Sequence, residues 1–145
     1  MPRVSNRRLL FSTLLVAQAV FSCLAQAQHN NNDDQGAVPQ ISGVWRGNSD
    51  CVIKDSPCHD EVNVYRFAQI EGKTGHFTCE GSKVVDGKEI PMGALIWRYD
   101  TKTHTLESEN SGASFRLVVK AGEMDGTVTL PNHILYRRIH LIKEN

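Results

Sequence analysis

Apolar and polar residues alternate with a period of two along most of residues 41–143. In 113–120, Phe115, Leu117 and Val119 share one face, while Ser114, Arg116 and Lys120 share the other with Val118. Leu95, Trp97 and Tyr99 oppose Arg98 and Asp100, and Met124, Val128 and Leu130 oppose Asp125, Thr127 and Thr129. Near the end of the chain, Leu135, Ile139 and Leu141 lie opposite Tyr136, Arg138 and His140. Alternation of this kind marks a half-buried strand, because successive side chains leave opposite faces of a pleated ribbon. Eight runs follow: 41–53, 61–70, 75–81 with room to extend to Val85, 93–100, 104–109, 113–120, 123–130 and 133–143. Turn chemistry separates them, as at Asp55-Ser56-Pro57, Asp86-Gly87-Lys88, Asn110-Ser111-Gly112 and Pro131-Asn132. No window carries a helical apolar stripe longer than two turns.

Connections this short allow antiparallel pairing only, since a parallel crossover needs a dozen residues or more. Eight strands in a meander either split into two sheets or close on themselves. Closure removes the exposed edges and leaves an interior that side chains fill or that holds one small ligand. The expected fold is all-β, an eight-stranded antiparallel up-and-down β-barrel, with a sandwich as the alternative.

The first residues do not read as part of that fold. Arg3, Arg7 and Arg8 precede an apolar run from Leu9 to Leu24, and Ala25-Gln26-Ala27 has the small-x-small form of a cleavage site. The run is shorter than the roughly 20 residues of a membrane span. Residues 1–27 are therefore expected to be a signal peptide, so that the mature chain is exported to a bacterial periplasm or the extracellular space. The pair Arg7-Arg8 leaves the twin-arginine route open beside the general one. A weak lipobox at Val20-Phe21-Ser22-Cys23 offers lipid anchorage at Cys23 as the minor alternative. Residues 28–40 are polar and nearly devoid of apolar side chains, which predicts a disordered linker. The barrel domain is then 41–145.

The chain of 145 residues carries 16 Lys+Arg and 16 Asp+Glu. Loss of residues 1–27 removes three arginines and no acid, leaving a net charge of −3. Neither balance suits a general nucleic-acid binder. About 105 residues bury a modest core, so an export-compartment disulfide would help. Of Cys51, Cys58 and Cys79, the first two flank a Ser-Pro turn and are the expected pair, with Cys51–Cys79 and Cys58–Cys79 as alternatives. The spacing does not suit a zinc knuckle.

Reactive chemistry is sparse. His59, Asp60 and Glu61 form the most polar cluster, but alternation would put only His59 and Glu61 on one face. No nucleophile elbow or phosphate-cradling glycine loop occurs. An enzyme is the least supported class, and no metal or cofactor is expected. The mid-strand arginines read as a solvated outer face. Trp45, Trp97, Tyr99, Phe115 and Leu117 are the candidate lining for a small apolar or amphipathic ligand.

Gly43-Val44-Trp45 on the opening strand, with Arg137-Arg138 on the closing strand, resembles the lipocalin and calycin pattern. The resemblance implies a barrel whose end is plugged by Trp45, with Arg137 or Arg138 packed over the indole as a lid. The chain departs from that family in being short, in leaving no room for a terminal helix and in lacking the second signature. Residues 43–47 are also similar to the opening of nitrobindin-like haem barrels, whose glycine and proline run is not matched. Ser111-Gly112-Ala113-Ser114-Phe115 resembles the serine-bearing loop of C-type lysozyme inhibitors, implying as an alternative a periplasmic protein–protein inhibitor that uses residues 110–115. A barrel whose aromatics fill the core, with no ligand cavity, is the remaining alternative.

Overall fold

A computed structural model describes residues 40–145. The expected signal peptide at 1–27, the expected linker up to residue 39 and the lipidation candidate Cys23 lie outside the described residues. The strands are β1 (Gly43–Cys51), β2 (Glu61–Gln69), β3 (His76–Val85), β4 (Lys88–Asp100), β5 (Thr105–Asn110), β6 (Ala113–Lys120), β7 (Glu123–Thr129) and β8 (Leu135–Lys143). Each pairs antiparallel with the next, and β8 returns to β1, giving a closed up-and-down barrel. The closing ladder runs from Trp45 opposite Lys143 to Cys51 opposite Arg137. There is no helix among the described residues.

The turns explain the meander. Asp86-Gly87 and Ser111-Gly112 each place two consecutive residues at positive φ, 49° and 75° in the first and 50° and 79° in the second. A two-residue hairpin of this twist matches the twist of its flanking strands, and glycine at the second position removes the Cβ penalty. Strand β4 begins five residues earlier than alternation suggested, because Lys88 to Pro91 continue the ladder to Val85 through Ser82. Sequence periodicity misses this stretch because its residues are exposed on both sides.

The β3–β4 hairpin also leans back over the outside of the barrel. The register shifts after Gly81, and Glu89 near the tip reaches Arg66 of β2 at 2.8 Å and Arg46 of β1 at 3.5 Å. Beneath this cover the outward-facing Val64 is fully buried. On its far side β4 is poorly joined: only Arg98–Glu107, Tyr99–Leu106 and Asp100–Thr105 pair with β5. Past that point the Ser108 hydroxyl donates to the Ile96 carbonyl at 2.7 Å, standing in for a ladder bond.

The remaining outer face carries the expected charges. Arg98 and Arg116 flank Glu107, and Lys120 meets Asp125 at 2.8 Å. Cys51 and Cys58 are bonded, with Cα atoms 5.9 Å apart, and Cys79 is a buried free thiol. Closing a loop this short is worth about 2.5 kcal/mol by the chain-entropy estimate.

Candidate functional site

The interior has two unlike halves. At one end Trp45, Phe77, Tyr99, Leu106, Met124 and Leu141 close together with no exposed face. Alternation on β1, β3, β4, β5, β7 and β8 sends these large side chains inward at neighbouring levels. The Trp45 indole N–H donates to the Ile41 carbonyl at 2.7 Å, so its one polar atom is satisfied in the dry core. The cation over its ring is Lys143, whose Nζ lies 5.5 Å from the centroid. This corrects the expected arginine lid. Arg138 points outward and is exposed, while Arg137 stands opposite Cys51 at the other end of the β1–β8 ladder.

At that other end the barrel is hollow. A cavity of about 420 Å³ opens to solvent there, well inside the range of about 300–1,000 Å³ usual for small-molecule sites. Tyr65, Trp97 and Phe115 line its floor and belong to a chain of edge-to-face rings that runs through Phe67. Tyr65 meets Phe67 at 6.3 Å, Phe67 meets Trp97 at 5.6 Å, and Trp97 meets Phe115 at 5.9 Å between centroids. Leu95, Val128 and Tyr136 extend the apolar wall. The alternative in which aromatics fill the whole interior therefore does not describe this barrel.

The five predicted ligand residues divide between the halves. Trp97 and Phe115 line the cavity; Trp45, Tyr99 and Leu117 are packed in the plugged core and do not. The Tyr99 hydroxyl is instead held by His104 Nδ1 at 2.9 Å. Tyr136, expected on the outer face, packs against the core. The β7–β8 register shifts between Val128 and Thr129, so Thr129 faces Leu135 and Tyr136 becomes the extra residue of a bulge. Leu135 loses the inward place that strict alternation would give it.

Sequence reasoning missed the polar side of the cavity. Arg137 is half-hidden in the wall, its side chain 12% exposed and that of Glu61 21%. Its Nη1 donates to the Ser49 carbonyl at 2.9 Å and the Ser49 hydroxyl at 3.3 Å, and its Nη2 lies 3.5 Å from Glu61. A guanidinium withdrawn from water needs such partners to offset desolvation. Lys83 reaches the same carboxylate at 3.4 Å. The signal was present: Arg137 has the same parity as the inward Ile139 and Leu141, and its charge alone argued against an interior place.

Among the described residues, two buried polar atoms in this wall have no hydrogen-bond partner, Asn63 Oδ1 and Trp97 Nε1. Asn63 is 3% exposed and Trp97 2%. The other end of the Asn63 amide donates to the Tyr65 hydroxyl at 3.4 Å. Burial pushes the Tyr65 phenol up to about 12. The Cys79 thiol, also in the wall, is likewise raised to about 12 by burial, which keeps it protonated and a poor nucleophile.

The remaining candidates lie elsewhere. In the His59-Asp60-Glu61 cluster, Glu61 turns into the cavity, Asp60 Oδ1 accepts the Cys51 backbone N–H at 2.7 Å, and His59 is exposed. Ser111 sits in an exposed tight turn with its hydroxyl donating to Asn110 Oδ1 at 3.3 Å. On the outer face Glu123, Asp125 and His140 cluster with Lys120, which already occupies Asp125. No helix among the described residues is long and apolar enough to cross a membrane. No protein-family model matches this chain, and no curated protein matches it.

Proposed function

We propose that the chain is an exported, lipocalin-like binding module that holds a small apolar or amphipathic ligand in the hollow half of its barrel. The observation that carries this reading is the cavity of about 420 Å³ with an aromatic floor and one polar side. Apolar burial against Trp97, Phe115 and Leu95 would drive binding, at about 25 cal/mol per Å² removed from water before ordering costs. The plugged half supports the role by holding the floor rigid, so little is lost in shaping the site when a ligand enters. The disulfide and the export signal read from residues 1–27 agree on an oxidising compartment.

Native mass spectrometry of protein purified from its own host tests the reading. A co-purifying small molecule is expected, on a chain that begins at Gln28. Titration with a panel of fatty acids, fatty alcohols and porphyrins, followed by tryptophan emission, checks the cavity directly. An empty protein together with a flat response across the panel overturns the binding role, and a chain retaining residues 1–27 overturns export.

A further inference from the structure

The boundary between β4 and β5 differs from every other in the barrel, and the difference falls at the cavity. The other seven ladders run up to the hollow end. β1–β2 reaches Ser49 opposite Glu61, β5–β6 reaches Asn110 opposite Ala113, and β8–β1 reaches Cys51 opposite Arg137. β2–β3, β3–β4, β6–β7 and β7–β8 end on the same side. The β4–β5 ladder stops at Arg98 opposite Glu107, one step from Tyr99 and Leu106 of the plug. We propose, resting on the cavity reading, that this unzipped seam is the side entrance through which the ligand reaches the hollow, between residues 93–96 and residues 108–110.

Both banks of the seam belong to the cavity. Gly93, Ala94 and Leu95 line it from β4, and Asn110 lines it from β5. On the outside, a groove runs along the same seam between Ile96 and Arg98 on one bank and Glu107, Ser108 and Glu109 on the other. Trp97 lines both the groove and the cavity, so one residue separates outside from inside. Ile96 stands on the outer bank with 64% of its surface exposed, an apolar first contact for an amphiphile. Beyond its chain neighbours, no atom lies within 4 Å of where a Cβ on Gly93 would sit, which leaves space beside the strand.

The rest of the rim is fastened. Arg137 of β8 bonds Ser49 of β1 and pairs with Glu61 of β2, and Lys83 of β3 pairs with the same carboxylate. The β5–β6 turn rests on the β7–β8 loop, because a Cβ on Gly112 would lie 3.0 Å from the Pro131 side chain. Parting any of these strands breaks several ladder bonds at once. Across the open part of the seam, one hydrogen bond is present among the described residues, from the Ser108 hydroxyl to the Ile96 carbonyl at 2.7 Å. Local opening follows the path with fewest bonds to break, and that path is here.

The test reads entry without needing the natural ligand, because the Cys79 thiol lies in the cavity wall. N-ethylmaleimide must enter the cavity to reach it, and the Cys79 peptide is followed by mass spectrometry. Continued past Arg98–Glu107, the register would set Ile96 opposite Glu109. An oxidised Ile96→Cys/Glu109→Cys pair therefore staples the seam, and should slow Cys79 labelling at least about tenfold by leaving only rarer openings. A control staple at Val118→Cys/Asp125→Cys, on the β6–β7 ladder, should leave the rate unchanged. Ser108→Ala should speed labelling about fivefold, the factor carried by one net hydrogen bond. In stopped-flow mixing with 1-decanol, the seam staple should slow association and dissociation together and leave the equilibrium affinity unchanged, since an entrance alters rates and not the bound state. Labelling that ignores the seam staple, or that the control staple slows equally, overturns the side entrance while the cavity reading stands. Should the staple fail to oxidise, Ser108→Ala decides, and an unchanged rate overturns the proposal. No tryptophan response to decanol or to the wider panel removes the cavity reading and the ligand's route with it; labelling that still obeys the staple then marks the failure as the ligand's and not the seam's.

Discussion

The two ends of this barrel are made from the same strands and the same alternation, yet one is plugged and the other hollow. At the plugged end the inward side chains are large and apolar, and the lone indole N–H finds a backbone carbonyl. At the hollow end the inward positions are taken by Ser49, Glu61, Asn63 and Arg137, which bond sideways along the wall instead of meeting across the middle. Polar residues at inward positions cannot interpenetrate as hydrocarbon does, because each must keep its partners. The contrast teaches that a closed barrel becomes a container where its inward side chains stop being able to pack against their opposites.

The largest effect should come from the plug. Trp45→Ala is expected to cost about 3–5 kcal/mol in urea unfolding, since the indole is 1% exposed and nothing can collapse into its place. Phe115→Ala, at the edge of a space already hollow, should cost less than about half as much. Equal losses at the two positions would break the comparison.

An intermediate effect should appear at high pH, and it probes the dryness of the hollow end's wall. Cys79 and Tyr65 titrate near 12 in the folded chain against ordinary values of 9 and 10. Both are raised, so the fold prefers their neutral forms. Their contribution is complete below about pH 9 and is lost as pH climbs toward 12. At about 1.4 kcal/mol per unit, the thermal midpoint should fall steeply between pH 9 and 11, and Cys79→Ala should remove a substantial part of that fall. A midpoint that stays level would mean that water already reaches the wall.

The smallest effect belongs to the outer face, where neither end is involved. Asp125 is held down to about 2 by the hydrogen bond from Lys120, with His140 adding to it. Its pKa is depressed, so the stability it contributes is present above pH 4 and lost as pH falls toward 2. The side chain is 42% exposed, and solvent screening limits Asp125→Asn to about 1 kcal/mol or less at neutral pH. Acid titration of both proteins should show that difference disappearing by pH 2.

Much of the fold could be read from alternation alone. Phe115, Leu117, Val119, Trp97 and Tyr99 all face inward as their spacing requires. The Cys51–Cys58 pair followed from its turn. What alternation could not reveal was phase. A bulge advances a strand by one residue without leaving a mark in its composition, so Tyr136 entered the core where Leu135 was expected. Nor could it tell which level of the barrel a side chain occupies. Trp45 and Trp97 both face inward, but the tilt of the strands puts one in the plug and the other on the cavity floor. Tilt is a property of the closed barrel rather than of any one strand. The same blindness hid Arg137, assigned to the indole at the far end, and Lys143, which takes its place.

The burial of Cys79 has a consequence for how the chain matures under oxidising conditions. Among the described residues Cys51, Cys58 and Cys79 permit three pairings, and two of them would tie Cys79 to the wrong partner. In the finished ladder Cys79 lies opposite Phe67, which lies opposite Gly43. Cys51 is eight residues farther along that strand, on the order of 26 Å away at the rise of an extended chain. Once β1, β2 and β3 have found their register, no mispairing can form without tearing the ladder apart. Strand assembly thus acts as the proofreader of the covalent bond, and an oxidant arriving after it meets one reachable pair among these three cysteines.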